Sequence, residues 1–148
     1  MASREKKSQP FSIRLRAEDD RFVAEESRRL RRPRGSLVQE YTAESIRSRR
    51  YPGIGFRGDD YRRRAWVIGT GLDVWELVTL VRDFGDESAV AAEYELAASK
   101  IRLALAYAEE FEDEIAELVE DGRRTEAELA ARHPFISSYE RATTAGGA

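Results

Sequence analysis

The first residues in this chain able to do chemistry are three polar side chains that alternate with three apolar ones. If Phe11-Ser12-Ile13-Arg14-Leu15-Arg16 is a β-strand, Phe11, Ile13 and Leu15 share one face and Ser12, Arg14 and Arg16 the other, because successive side chains point to opposite sides. Two guanidinium groups and a hydroxyl on one face make an array of hydrogen-bond donors. An arginine fork matches guanine O6 and N7, and each such contact supplies about 1–3 kcal/mol of base discrimination. On an unpaired edge strand the same residues are only a solvated surface. A little further on, Arg34, Gly35 and Ser36 open a helix, and the free N–H groups at a helix start suit a phosphate. Ser36 can equally act as a plain N-cap, which is compatible with that role.

Positioning this array takes more than the strand. A lone strand followed only by helices leaves its backbone donors and acceptors without partners. A second copy of the chain removes the problem by pairing strand with strand into an antiparallel ribbon, and a two-stranded ribbon fits the major groove of DNA. Helix periodicity predicts a first helix over about Glu18 to Leu30, with Glu18, Asp19 and Asp20 at its dipole-positive end. Pro33 and Gly35 break the chain. Ser36 and Gln39 have the spacing of a capping box for a second helix, whose stripe is Leu37, Val38, Tyr41 and Ile46. About ten apolar side chains in about 40 residues cannot hold a monomeric fold, so the segment 10–50 is expected to be an obligate dimer.

Residues 47–52 read as a linker to a second module. There, Ile54–Arg57 and Arg64–Ile68 flank a turn-rich GDDYRR and predict a hairpin. Asp73 with Glu76 predicts a capped helix that is apolar almost all round (Val74, Trp75, Leu77, Val78, Leu80, Val81, Phe84) and ends at Gly85. Asp86 caps a short helix through Val90 and Tyr94. The longest helix is expected over about Ala98 to Asp121, stopped by Gly122. Thr125 and Glu128 suggest another capped helix that ends near His133 and Pro134, followed by a tail. The fold class predicted is mainly α: a dimeric strand-helix-helix domain (10–50) behind a disordered basic arm (1–9), then a small helix-turn-helix-like domain with a short hairpin (51–122), then a helix and tail (123–148).

Charge divides the chain in the same way. Of 148 residues, 1–64 hold 18 Lys+Arg against 10 Asp+Glu, a balance of +8; residues 65–148 hold 7 against 18, a balance of −11. The basic part suits a polyphosphate and the acidic part would be repelled by one. The absence of cysteine excludes disulfides, zinc–thiolate sites and thiol catalysis. No apolar run approaches a membrane span and none after Met1 resembles a signal peptide, so no membrane partner and a cytoplasmic location are expected.

Other patterns carry less. Residues 53–58 read GIGFRG, but a dinucleotide fingerprint needs a strand before it and a helix after it; a basic linker precedes it and Asp59-Asp60-Tyr61 follows, so these glycines are expected to shape turns. Ser88–Leu105 could be a second helix-turn-helix, yet Lys100 and Arg102 are its only cations, and it reads better as a structural or dimerisation core. The acidic run Glu109, Glu110, Glu112, Asp113, Glu114, Glu117, Glu120 and Asp121 could ligate metal, mimic a nucleic acid or simply be solvated; a solvated face is the expectation. His133 is the only histidine. With no nucleophile–base set and no metal spacing, no catalytic residue, metal or cofactor is assigned and no enzyme is expected.

The strand FSIRLR, the acidic helix start AEDD and the turn PRGS together resemble the ribbon-helix-helix repressors of the CopG, Arc and MetJ type. The segments WVIGTGLDVWELV and KIRLALAYAEEF are similar to a domain of unknown function that recurs in VapB-type antitoxins, with Gly71 here where that family usually has arginine. The two resemblances span about residues 10 to 120. They imply an antitoxin of a type II toxin–antitoxin system that autorepresses its operon by binding operator DNA through Ser12, Arg14, Arg16, Arg34, Gly35 and Ser36. They further imply a PIN-like ribonuclease toxin as partner, its carboxylate cluster offered arginines; after residue 103 the chain has only Arg123, Arg124, Arg132 and Arg141. The alternative is a ribbon-helix-helix repressor without a toxin, its second module serving oligomerisation or ligand sensing.

Overall fold

The structure is a computed structural model and describes residues 8–133. Among these residues it contains six helices and one two-stranded sheet. The chain divides into two compact units, Met1–Ile46 and Arg47–Ala148.

In the first unit, α1 spans Ala17–Leu30 and α2 starts at Arg34. The acidic first turn of α1 (Glu18, Asp19, Asp20) and its basic last turn (Arg28, Arg29) both complement the helix dipole. Residues 8–16 lie in no helix or ladder, and the ribbon expected there would require a second chain to pair with. The predicted capping box of α2 is not formed. Pro33 precedes the first helical residue, and its carbonyl accepts from the N–H groups of Ser36 (3.1 Å) and Leu37 (3.3 Å). Ser36 therefore sits inside the first turn rather than at the cap. Proline forces this choice, since it has no N–H to satisfy and keeps the residue before it out of the helical region. Among the described residues of this unit only Val23, Leu30 and Leu37 are buried; of the expected stripe, Tyr41 and Ile46 are exposed.

The second unit has a continuous core. Its first residues, Arg47–Arg50, are the last turn of α2 (Arg34–Arg50), so the expected linker is helical as far as Arg50. The hairpin β1 (Ile54–Arg57) and β2 (Arg64–Val67) is antiparallel, with Ile54 opposite Val67 and Arg57 opposite Arg64. Ile54, Ala65 and Val67 face inward. Gly58 turns the chain at φ 111°, where a Cβ would lie 2.5 Å from the Arg62 carbonyl oxygen, so no other residue fits. Four helices follow: α3 (Val74–Phe84), α4 (Glu87–Glu93), α5 (Ala98–Glu110) and α6 (Glu112–Arg132). The predicted capping box is present on α3, where the Asp73 N–H donates to Glu76 Oε2 at 2.7 Å. On α4, Asp86 Oδ1 accepts from the Ser88 N–H at 3.0 Å. Val74, Leu77, Val78, Val90, Ile101, Ala104, Tyr107, Ile115 and Val119 complete the core.

The predicted single helix over 98–121 is two helices. Phe111, at φ −111° and ψ 45°, breaks it, and its ring lies 4.6 Å from that of Tyr107, centroid to centroid. Gly122 is no stop. It lies within α6, where a Cβ would come within 2.7 Å of the Trp75 ring, so the glycine lets an indole press against the helix. With α6 running on to Arg132, the expected Thr125–Glu128 cap does not exist; the Thr125 hydroxyl instead donates to the Asp121 carbonyl within the helix, at 2.9 Å. The predicted end near His133 agrees with the C-cap observed there.

Candidate nucleic-acid interface

The candidate interface is built on the first unit. Ser12, Arg14 and Arg16 are exposed, as are Arg34, Gly35 and Ser36. Arg34 forms an ion pair with Asp20, so this cation at the start of α2 is partly neutralised within the unit. Residues 8–15, α1 and α2 enclose an open cleft of about 1030 Å³, whose apolar lining includes Phe11, Ile13, Leu15, Val23, Val38 and Ile46. Phe11 is 82% exposed, Ile13 59%, Phe22 56% and Ile46 49%. Alternation therefore separates two surfaces of one short segment, an apolar one lining the cleft and a polar one carrying Ser12 and Arg16. Arg14 also borders the cleft.

Between the helices the chain turns at Arg31, which adopts the left-handed conformation (φ 52°, ψ 43°) and donates its N–H to the Ser27 carbonyl. Ser27 fixes the turn twice more: its carbonyl accepts from the Arg32 N–H at 3.2 Å, and its hydroxyl donates to the Arg32 carbonyl at 2.6 Å.

No match was found when the chain was compared with protein-family models, with curated proteins and with solved structures.

Two polar clusters organise the second unit, and neither was foreseen as a cluster. Asp73 is buried, and besides capping α3 it accepts from Arg57 Nε (2.7 Å), Arg64 Nε (2.8 Å) and Trp75 Nε1 (3.3 Å). Arg57 also lies 4.8 Å over the Trp66 ring and donates to the Gly71 carbonyl at 3.0 Å. One carboxylate thus joins both strands of the hairpin to α3. The paired arginines opposite each other on the strands were the available signal, but their shared acceptor lies nine residues beyond the second.

The other cluster holds the last turn of α2. Arg47 donates to Glu114 Oε2 (2.6 Å) and to the Tyr107 hydroxyl (2.9 Å), and its guanidinium sits 4.0 Å over the Phe111 ring. Burial is the strongest single influence on Arg47 and opposes its charge, but the hydrogen bonds and charges of Glu114 and Tyr107 together outweigh it and the pKa rises. Tyr107 is fully buried, and burial, reinforced by the Glu114 charge, pushes its hydroxyl up to about 12. Glu110 accepts from Arg50 and from the Tyr51 hydroxyl; the Tyr51 hydrogen bond foremost, with Arg50 adding to it, holds its carboxyl below the ordinary range. Two members of the acidic run are therefore internal partners. Glu109, Glu112, Asp113, Glu117, Glu120 and Asp121 are exposed, and among the described residues no group of three or more potential ligands could hold a metal ion.

Three of the residues expected to meet a toxin lie on a helix continuous with the core. Arg123, Arg124 and Arg132 are exposed on the last turns of α6, beyond its buried residues Ile115 and Val119; Arg124 lies 3.7 Å from Asp121. Arg141 falls outside the described residues. Among those described, no helix is long and apolar enough to cross a membrane.

Proposed function

We propose that this chain is a DNA-binding antitoxin whose first unit pairs with a second copy through residues 10–16 and reads operator DNA. Its second unit would capture a nuclease toxin. The observation that carries the reading is the segment Phe11–Arg16, with exposed apolar side chains beside an open cleft, Arg14 at the border of that cleft, and Ser12 and Arg16 outside its lining. Pairing with a second copy gives the backbone of the segment its ladder, covers Phe11 and Ile13, and sets two sets of Ser12, Arg14 and Arg16 side by side on one surface. Burying a large apolar side chain contributes about 1.5–3 kcal/mol, so the exposed side chains are a substantial reserve of association energy.

The capture of a toxin rests on separate ground: Arg123, Arg124 and Arg132 stand exposed on a helix that continues past the core. A guanidinium fork competes with Mg²⁺ for the oxygens of a carboxylate cluster. Because α6 packs through Ile115, Val119 and the Gly122–Trp75 contact, a chain ending at Gly122 keeps that packing and loses all these arginines.

Mobility-shift titration of the full chain against the duplex upstream of its own gene and against a scrambled duplex tests the DNA-binding half. Arg14→Ala is expected to lose about 1–3 kcal/mol on the upstream duplex and much less on the scrambled one. Equal losses would make Arg14 a phosphate contact, and failure of the unmodified chain to bind either duplex would overturn the reading. Nuclease inhibition that survives truncation after Gly122 would remove the role given to the arginines.

A further inference from the structure

The sequence Arg28-Arg29-Leu30-Arg31-Arg32-Pro33-Arg34 places five arginines around the α1–α2 turn, and only one of them belongs to the interface described so far. Three are matched by carboxylates: Arg29 with Glu26, Arg32 with Glu40 and Arg34 with Asp20. Among the described residues neither Arg28 nor Arg31 has an ion-pair partner, and both are exposed. Arg31 is notable for its backbone as well. The left-handed position that ends a helix is ordinarily taken by glycine or asparagine, since a side chain there carries a steric cost. Here an arginine occupies it at φ 52°, in a turn that Ser27 fastens from both its hydroxyl and its carbonyl. A strained residue in a fixed turn calls for a role outside local stability. Two unmatched guanidinium groups, Arg28 in the last turn of α1 and Arg31 on the fixed turn that leads to α2, suit a run of phosphates.

We infer that Arg28 and Arg31 form a second phosphate-contacting patch, one that extends the contact along the DNA backbone beyond the bases read by Arg14 and Arg16. The inference rests on the DNA-binding reading above. The patch carries no base information; its contribution is affinity through counterion release, which scales with the number of phosphates neutralised.

The test is the salt dependence of duplex binding by the full chain and by its Arg28→Ala/Arg31→Gly variant, on the upstream and the scrambled duplex. Glycine relieves the left-handed position, so the variant is expected to melt no lower than the unmodified chain. Each phosphate contact adds about 0.9 to the log–log slope, so a dimer that loses four contacts should show a slope shallower by about 3.6. Between about 50 and about 200 mM salt the unmodified protein then loses roughly a hundredfold more affinity than the variant, equally on both duplexes. Arg28→Lys/Arg31→Lys, which keeps both charges, should retain the steep slope. An unchanged slope in the glycine variant, with binding by the unmodified chain intact, overturns the patch and leaves the DNA reading standing. A loss confined to the upstream duplex would make these arginines base contacts and also overturns the patch as stated. Absence of duplex binding by the unmodified chain overturns both.

Discussion

The two units of this protein solve the problem of burying apolar surface in opposite ways. The second closes a core of twelve buried residues around α3, α5 and the hairpin, and backs it with the Asp73 and Arg47–Glu114 clusters. The first buries Val23, Leu30 and Leu37 and leaves Phe11, Ile13, Phe22 and Ile46 in solvent. Both are amphipathic, so the difference is one of completion. On the proposed reading, a second copy covers the apolar residues that the helices of the first unit leave exposed, whereas the second unit, with its interior filled, offers only its surface.

The largest effect expected from this contrast is at the exposed strand segment. Phe11→Asp with Ile13→Asp places charges where the apolar face must be buried on pairing, removing about 1.5–3 kcal/mol for each side chain. The variant should be monomeric and unable to bind duplex DNA, while the thermal transition of the second unit stays where it was, as followed by its two tryptophans, Trp66 and Trp75. Loss of that transition as well would show that the units do not fold as separately as their cores suggest.

Next in size is Asp73→Ala. Removing a buried acceptor leaves two arginines facing each other and a helix uncapped; since both arginines are about a third exposed, water takes up part of the cost. A destabilisation of about 2–3 kcal/mol is expected by denaturant titration, with dimer formation by the first unit unaffected.

A smaller change would come from Gly122→Ala, where the sign is informative. Helix propensity alone favours alanine by about 1 kcal/mol. A Cβ within 2.7 Å of Trp75 opposes it, since overpacking costs about 1–3 kcal/mol. A lower melting temperature is expected; a higher one would mean that the indole is free to move aside.

The last effect is electrostatic and shows only at high pH. The Tyr107 hydroxyl is raised from about 10 to about 12, so the folded state favours its neutral form. The stability it contributes is full below pH 10 and is lost as pH rises towards 12. Ultraviolet titration should find one of the six tyrosines ionising last, and Tyr107→Phe should remove that late step.

Legibility in the sequence followed the range of the interactions. The hairpin, the Asp73 capping box, the Asp86 cap and the Gly85 end of α3 each depend on residues within a few positions, and each is where local pattern placed it. The errors arose where distant contacts decide. Gly122 reads as a stop until Trp75, 47 residues earlier, is seen against it, and the break at Phe111 accompanies its ring contact with Tyr107 in the cluster that holds Arg47. Ser36 shows a local conflict, in which proline three residues before took the cap. At the candidate interface, alternation in Phe11–Arg16 picked out the apolar residues that line the cleft but not Arg14, which borders it as well, and the pairing of Arg34 with Asp20 and the unmatched Arg28 and Arg31 depend on which carboxylates reach the turn.

The most direct test is the mass of the full chain by sedimentation equilibrium at micromolar concentration, with the Phe11→Asp/Ile13→Asp variant beside it. Twice the chain mass for the unmodified protein, and a single chain mass for the variant, is the result expected if the first unit is completed by a second copy. A single chain mass for the unmodified protein, or a dimer that the variant leaves intact, would contradict it.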